Sequence, residues 1–512
     1  MTDNSVIAPN SILPVSINWP WRIVIVAILT ALADWLFFRQ VIGVSLVLFI
    51  LALGAGVLLT NRIDASRREL LIYGGILIAA VLPGLEDFNL MSALMAALGI
   101  ACFALGVTAA LKGGPVERFL AVGWLLISGP FQFFRDLPLL RQWASQRGAP
   151  VDVTAAQGWI VPLGLGAVFV ALFAAANPLV ADWFAQWSIG PSLNLLDMQR
   201  LLFWIGTIIV VWAFVRVCGC FAVFDLGLFP AGGEPQPIQS AATDPATGIA
   251  AVASSNPIFN DTVVMRSLVL FNLLFAAQTV MDINYLWAGA ALPDGMSYAS
   301  YAHRGAYPLI VTALLAATFV IVAMRPGSNA ERSPLMRALV FLWVGQNVLL
   351  VVSSILRLDL YVATYLLTYW RVAAFIWMLI VAAGLVLIVV RIVTYRSNAW
   401  LVSANAIVLV LTIYVCSFVN FANLVASYNV AHARASASAG HPIDLTYVAG
   451  LGPEAIPALD RYLAADPQVN AGFFRRYRDT LAGRHAAGTG NWRAWTFRGW
   501  RLSRYLENAR QP

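Results

Sequence analysis

Charged residues are scarce in this chain of 512 residues. Asp, Glu, Lys and Arg make up only 11% of it, whereas 60% is hydrophobic and the mean hydropathy is +0.77. A soluble globular domain carries about 25% charged residues. The composition therefore excludes an ordinary soluble protein and indicates a polytopic membrane protein. The net charge of +7 suits anionic lipid head groups, and no nucleic-acid partner is expected.

Cysteine and the common catalytic motifs are also scarce or missing. The four cysteines, Cys102, Cys218, Cys220 and Cys416, form no CxxC pair, so neither a disulfide framework nor a zinc site is indicated. The sequence contains no GxxxxGK[ST], HExxH or GxSxG motif and no strand-associated GxGxxG. These absences disfavour ATP-driven transport by this chain alone, nucleotide oxidoreduction and zinc proteolysis. We expect no cofactor and no metal site.

Long apolar runs, in contrast, are abundant. A helix needs about 20 apolar residues to cross a bilayer, and eleven segments come near that length. They are residues 21–38, 41–60, 70–82, 90–111, 158–180, 201–223, 263–288, 308–324, 335–356, 369–393 and 400–425. A further segment, 119–134, is short and broken by Gly129-Pro130, so it is expected to span, to re-enter or to lie in the interface. The predicted fold is all-α, with about eleven transmembrane helices, one such short segment and a small helical C-terminal tail domain.

The distribution of Lys and Arg predicts the orientation of these spans. If 119–134 does not cross, fifteen cations fall on the side of the N-terminus and five on the other side. Cytoplasmic loops are the ones enriched in Lys and Arg. We therefore expect a multi-pass protein of the bacterial cytoplasmic membrane, the inner membrane, with its N-terminus inside and its C-terminal tail outside.

Composition divides the chain into four parts. Residues 1–229 form an N-terminal membrane half, and 230–261, rich in Pro, Gly, Ala and Ser, read as a flexible inner linker. Residues 262–425 form a C-terminal membrane half, and 426–512 regain the charge of a soluble helical domain.

Several polar residues fall inside the apolar runs. They are Asn272, Gln278, Asp282, Gln346 and Asn347. Polar groups at this depth are costly, so they either bond neighbouring helices or line a path for a substrate or ion. The residues alone leave both alternatives open.

The stretch "SSILRLDLYVATYLLTYWR", residues 353–371, is polar without a turn residue. On one helix its polar side chains share an arc of about 120°; they are Ser354, Arg357, Tyr361, Tyr365, Thr368 and Arg371. A helix running unbroken from Gly345 to Gly384 would measure roughly 57 Å, against a hydrocarbon thickness of ~30 Å. We therefore expect a bend and an interfacial helix starting near Asp359. Its guanidinium groups suit a phosphate, carboxylate or lipid head group, although arginine snorkelling beside a tyrosine belt is an alternative.

A second polar stretch, "GMSYASYAHRGAYP", contains His303 and Arg304 among three tyrosines, Tyr298, Tyr301 and Tyr307. It is typical of an interfacial aromatic belt. Alternatively it forms a lid in which His303 or Arg304 meets Asp282.

The motif in 353–371 resembles the S-x-x-R-L-x-x-Y-x-x-x-Y-x-L-T-x-x-R core of bacterial multi-span proteins of the domain-of-unknown-function family four-one-seven-three, to which family four-one-five-three is related. The matching residues are Ser354, Arg357, Leu358, Tyr361, Tyr365, Leu367, Thr368 and Arg371. Similarity extends over roughly 257–463, including "FNLLFAAQTVMDINYLW", "YASYAHRGAYPL" and "VNFANLVASYNV". The resemblance implies no known activity and no catalytic residue.

Two further features concern the outer side. Glu86 and Asp87 form an acidic pair in a predicted outer loop, where a transferase would place a base or metal ligand. The tail segment "NWRAWTFRGWRLSRYLENAR" interleaves Trp and Arg, which favours docking on anionic head groups or on the outer loops, or a soluble core with cation-π contacts.

Three functions fit these observations. In the first, the protein binds or moves a small anionic or lipid-like molecule and is not an enzyme. Its ligand-binding residues would be Asp282, His303, Arg304, Arg357, Tyr361, Tyr365 and Arg371. In the second, it is a membrane-embedded glycosyl- or lipid-transferase that uses Glu86 and Asp87. In the third, it is a non-catalytic scaffold or sensor.

Overall fold

The computed structural model describes residues 19–111, 113–145, 195–217, 261–284, 333–438, 440, 442–465 and 471–509. Within these ranges the chain is helical and contains no strand. The first half forms α1 (Trp19–Phe37), α2 (Val44–Thr60), α3 (Arg67–Glu86), α4 (Leu90–Val107), α5 (Pro115–Ser145) and α6 (Leu195–Val215). The second half forms α7 (Asp261–Asp282), α8 (Pro334–Tyr365), α9 (Tyr369–Val393), α10 (Asn398–Phe418) and α11 (Phe421–Ser438). The tail domain forms α12 (Leu445–Gly450), α13 (Ile456–Ala465), α14 (Ala471–Thr489) and α15 (Phe497–Asn508), with 3-10 turns at Pro453–Ala455 and Trp492–Ala494.

Nine of the eleven predicted spans overlap these helices, and the predictions for 158–180 and 308–324 lie outside the described residues. Seven described helices are long and apolar enough to cross a membrane, namely α1, α3, α4, α7, α8, α9 and α10. α2 and residues Gln199–Val215 of α6 are apolar but shorter. The described chain is therefore a membrane-embedded helical protein, and a count of eleven spans stays a prediction.

The helices begin where polar side chains cap them. Ser66 accepts a hydrogen bond from the backbone N–H of Glu69 at 3.3 Å, and the Glu69 carboxylate accepts one from the Ser66 N–H at 2.8 Å. Asn89 and Ser92 form the same reciprocal pair at the start of α4. Such caps satisfy backbone donors that have no partner inside the helix.

Four connections lie at one end of the bundle, which we name the tail end because the tail domain packs there. They are 38–43, 87–89, 366–368 and 419–420. The backbone N–H of Val44 donates to the Trp495 carbonyl at 2.9 Å. Gly43 is required at this contact, because a Cβ there would lie 2.5 Å from the Ala494 carbonyl carbon.

α5 contains the segment 119–134 and lies along the opposite end. The C-terminus of α4 also lies at this end, because the Val107 carbonyl accepts at 3.1 Å from the N–H of Asp64, in the connection between α2 and α3. Farther along α5, Gln132 donates to the Arg216 carbonyl at 2.6 Å, and Trp212 donates to Asp136 at 3.0 Å. α5 therefore begins near this end and still contacts the last turn of α6 some twenty residues later.

The expected bend near Asp359 is wrong. α8 continues through Asp359 as one helix of 32 residues and ends at Tyr365. The turn follows at Leu366, which takes a left-handed φ of 63° although it is not a glycine. The absence of Gly and Pro therefore did not prevent a turn, because tertiary contacts hold Leu366 in a conformation that its own side chain disfavours.

Candidate functional site

Asp282 and Arg357 form an ion pair between α7 and α8. Asp282 is the last residue of α7, and Arg357 lies two turns before the end of α8. Their side chains are 3% and 7% exposed, and the Arg357 Nη2 donates to Asp282 Oδ1. Gln278, one turn before Asp282, donates to the same carboxylate oxygen at 3.0 Å. The structure thus brings together three of the residues singled out in the sequence.

The remaining polar residues of the two helices lie along the α7–α8 contact or next to it. Asn272 donates to the Leu268 carbonyl at 2.8 Å and to the Leu339 carbonyl of α8 at 3.0 Å. Asn347 is fully buried and donates to the Trp343 carbonyl at 2.8 Å. Asn272, Trp343, Gln346 and Asn347 each have one buried polar atom without a hydrogen-bond partner among the described residues: Asn272 Oδ1, Trp343 Nε1, Gln346 Oε1 and Asn347 Oδ1. We name Asn272, Trp343, Asn347, Asp282 and Arg357 the polar seam.

Arg371 has a different role from the one expected. Because the chain turns at Leu366, Arg371 belongs to α9, and the single polar face predicted from Ser354 to Arg371 is wrong. Its guanidinium donates to the Tyr365 carbonyl at 2.6 Å and to the Leu366 carbonyl. It also lies 4.3 Å from the ring centroid of Tyr361. Arg371 therefore satisfies carbonyl groups at the end of α8, which a basic side chain does well at a helix C-terminus.

The rings of Tyr361 and Tyr365 are in contact at a tilt of 47°, with centroids 4.9 Å apart. Both tyrosines lie beside Arg371 at the end of α8. The Asp282 carboxylate, in contrast, contacts Arg357. His303 and Arg304 lie outside the described residues. The predicted lid therefore stays a prediction.

Sequence reasoning missed the residue that holds the turn between α8 and α9. Asn429 of α11 is 3% exposed and accepts from the Leu367 N–H at 2.7 Å while donating to the Leu367 carbonyl at 3.0 Å. Ser436 adds a hydrogen bond to the Thr364 carbonyl at 3.1 Å, and the Tyr447 hydroxyl of the tail accepts from the Tyr369 N–H at 3.1 Å. The segment "VNFANLVASYNV" contains Asn429, but its pattern assigns the side chain no partner.

Glu86 and Asp87 face the tail domain. Arg498 of α15 contacts Glu86 at 3.4 Å and Asp87 at 2.9 Å, and Arg501 contacts Glu86 at 2.6 Å. The Arg498 side chain is only 8% exposed. Both acids are therefore paired with guanidinium groups at the docking surface of the tail.

A third carboxyl group lies beside them. Burial raises the pKa of the Glu454 carboxyl above its ordinary value, while a hydrogen bond from Asn420 at 2.9 Å and the nearby Arg498 lower it. Among the described residues, no group of three or more His, Cys, Asp or Glu side chains is arranged to hold a metal ion.

Comparison with known families gives one result. The model of the family described as "Domain of unknown function (DUF4153)" matches residues 70–462. The chain belongs to this family. The match covers α3 to α13 and so includes most of the first half, where no sequence motif was recognised. Membership in family four-one-seven-three, and a relation between the two families, stay predictions.

Neither the curated proteins nor the solved structures contain a significant match to the chain. DUF4153 carries no functional description. The chain is thus an integral membrane protein of this family, and any activity must be argued from its own residues.

Proposed function

We propose that this protein binds and carries a small anionic molecule through the membrane, and that Arg357 is its ligand-binding group. The observation that supports this is the buried Asp282–Arg357 pair between two apolar helices. Ionisable residues inside spans are rare and costly, and they commonly mark paths for substrates or ions. A guanidinium group also offers a planar fork of donors that matches a carboxylate or phosphate.

Asp282 occupies the place that the ligand anion would take. Removing one member of a buried ion pair leaves the other charge uncompensated, at a cost of about 3–5 kcal/mol. Exchange of the Asp282 carboxylate for that of a ligand avoids this cost, because the guanidinium stays paired throughout. Gln278 bonds to Asp282 and would hold the carboxylate nearby during the exchange.

The polar seam supplies a route away from Arg357. Trp343 and Asn347 are one turn apart on α8, and Arg357 follows roughly 21 Å from Trp343 along the helix axis. The unpartnered atoms on this seam suit water or the polar groups of a passing ligand, since buried polar atoms nearly always find a partner. Trp343 Nε1 can donate to an anion directly, whereas the Asn272 and Asn347 oxygens can only accept and would contact the anion through water.

The orientation is part of the proposal. The membrane is taken to be the cytoplasmic membrane of a bacterium, with the N-terminus inside and the tail end outside. The excess of Lys and Arg in the predicted inner loops supports this. Arg357 would then lie nearer the outer side, within reach of solutes outside the cell.

The alternative functions have less support. A transferase would need Glu86 or Asp87 as a base or metal ligand, and both carboxylates contact guanidinium groups of the tail. The same contacts fit a scaffold in which the acids dock the tail. They do not by themselves suggest a partner.

The test is a thermal-shift assay on the purified full-length protein. The probes are inorganic phosphate, citrate and phosphatidylglycerol, which separate a free phosphate, a free carboxylate and a lipid head group. We expect one probe to raise the Tm of the wild type by several degrees, since a ligand at 100 times its Kd stabilises by about 2.7 kcal/mol. The double variant Asp282→Asn/Arg357→Gln should lose the shift.

Arg337→Gln is the matched control. Arg337 lies in the first turn of the same helix, where it donates to the exposed Tyr395 hydroxyl at 2.7 Å. This variant should keep the shift. An equal response in the double variant, or no response of the wild type to any probe, contradicts the proposal.

A further inference from the structure

The tail domain has an exposed face of aromatic and basic side chains at the level of the span ends. Trp500 and Phe497 of α15 are 45% and 43% exposed, and their rings stack with centroids 5.6 Å apart. Arg501 lies 5.0 Å from the Phe497 ring centroid, and Arg504 lies 5.8 Å from that of Trp500. We name Phe497, Trp500 and Arg504 the α15 outer face; Arg501 borders it and pairs with Glu86.

The depth of this face follows from how the tail is fastened. Asn491 donates to Gln40 at 2.6 Å, next to the end of α1. The Trp492 ring lies 5.6 Å from that of Trp35, which is in the last turn of α1 and 54% exposed. Since α1 is a candidate span, Trp35 marks the level at which the chain leaves the hydrocarbon. Trp492 therefore lies at this same level.

α15 starts from this attachment and crosses the end of α3. Thr496 caps it directly after Trp495, and Arg498 and Arg501 reach Glu86, the last residue of α3. α3 is also a candidate span. Asn491, Trp492, Arg498 and Arg501 are thus all attached to span ends, which places the first turns of α15 at the level of the membrane surface.

The helical wheel gives the direction of the outer face. Leu502 and Leu506 point into the tail core, and Arg498 and Arg501 point to the bundle. At 100° per residue, the outer face lies roughly opposite the two leucines and about 100° from the direction of the bundle. It therefore points sideways from the protein, where the lipid head groups are.

We propose that the α15 outer face binds the anionic head groups of the leaflet at the tail end, and completes the aromatic belt of the spans. Phe88 and Trp370, also exposed at this end, form the part of the belt that the spans themselves carry. Aromatic rings interleaved with arginine suit this depth. The rings can lie at the edge of the hydrocarbon while a guanidinium group pairs with a lipid phosphate. The surface is separate from the polar seam and does not depend on the ligand proposed for it.

A depth measurement tests the position of this face. The full chain, with its four cysteines replaced by Ala, carries a nitroxide on Trp500→Cys in phosphatidylglycerol-containing nanodiscs. Its accessibility to oxygen and to a water-soluble nickel chelate is compared with that of Arg476→Cys on the exposed side of α14. We expect the label at 500 to be shielded from nickel and reached by oxygen, and the label at 476 to behave as in water. Water-like behaviour at 500 overturns the proposal and assigns the face to another macromolecule or to none.

A second measurement tests the preference for anionic lipid. The rate at which trypsin releases the tail is compared in nanodiscs of phosphatidylcholine alone and with added phosphatidylglycerol. One Arg near an anionic surface is worth about fivefold in binding, so Trp500→Ser/Arg504→Gln should lose at least this much of the protection by phosphatidylglycerol. Phe473→Ser/Arg476→Gln, a matched aromatic and basic pair on α14, should keep it. Equal protection in both variants contradicts a role for the outer face.

Discussion

At the scale of single residues, the structure is defined by where its charges are buried. Arg357 and Arg498 each lie in a surrounding that excludes water, and each contacts carboxylates from a distant part of the chain. Such pairs persist because an unpaired charge in these positions would be costly. Glu454 differs from them, because within the described part of the chain its carboxyl accepts a hydrogen bond from the neutral Asn420 and not from a guanidinium group.

Glu454 makes the stability of the tail depend on pH. Because the pKa of its carboxyl is raised in the folded protein, the folded state holds the proton more tightly than the unfolded state does. The free-energy cost of ionising the buried carboxyl is absent below pH 4.5, the ordinary pKa of this group, and grows as the pH rises above it. We expect Glu454→Gln to stabilise the tail more at pH 8 than at pH 5, as measured by thermal unfolding. Glu507→Gln, exposed on α15, is the control, and an unchanged slope in Glu454→Gln contradicts this account.

At the scale of elements, the turn between α8 and α9 is the feature that other helices must hold. Leu366, with φ 63° and ψ 178°, is in a region that costs a residue with a side chain about 1–3 kcal/mol. Arg371 and Asn429 supply the compensating hydrogen bonds from α9 and α11. The hairpin of α8 and α9 therefore depends on α11 being in place.

Asn429→Ala should open this turn. The substitution leaves the Leu367 N–H and carbonyl without their partner, at a cost of about 2 kcal/mol or more. We expect faster hydrogen exchange of the amides of residues 366–370, measured by mass spectrometry on the full-length protein. Asn423→Ala is the control on the same helix, because the Asn423 side-chain oxygen accepts from the Ser427 hydroxyl at 3.3 Å, a contact within α11. Identical exchange in the two variants would argue against Asn429 as the residue that holds the turn.

At the scale of the whole molecule, the tail joins the two membrane halves. α15 contacts the end of α3 in the first half, Asn420 after α10 contacts Glu454, and Tyr447 contacts the start of α9. α10 itself packs against α3, α4 and α5. The first and second halves are thus joined both within the bundle and through the tail domain.

Arg498→Ala should release the tail from the bundle. It removes the contacts to Glu86 and Asp87 and leaves both acids less compensated, at a cost of about 3 kcal/mol for a buried pair. We expect faster tryptic release of fragments from the C-terminal side of α11. Arg475→Ala, exposed on α14, should leave the rate unchanged. Adding Asp87→Asn to Arg498→Ala should cost less than the two single effects combined, because the residues share one interaction.

Much of the architecture follows from local patterns. Ser66, Asn89 and Asp444 precede helices as expected for capping residues, and Gly452-Pro453 separates two short tail helices. Nine apolar runs predicted helices of the described chain, with errors of up to nine residues at their ends, and the run 400–425 extends across the break between α10 and α11. The largest error, at Asp359, arose because the turn at Leu366 has no residue type that marks it.

The candidate site was predictable only in its members. Asp282 was singled out as a costly polar residue in an apolar run and Arg357 as part of the polar stretch 353–371. The structure pairs them, although ligand binding stays a prediction. Arg371 belonged to the same motif but serves the end of α8. Asn429 and Arg498 had no signal beyond residue type, because their roles depend on which backbone or carboxylate lies opposite.

The sequence by itself determined that this chain is a helical membrane protein. The backbone hydrogen bonds of a helix are local, and the transfer of each apolar run into hydrocarbon depends on the residues of that run alone. Only the tertiary structure decided which polar groups meet. Arg357 is 75 residues from Asp282, Asn429 is 62 from Leu367, and Arg498 is 411 from Asp87. No local rule joins groups so far apart, since their pairing is set by the packing of helices that bury each charge beside its partner.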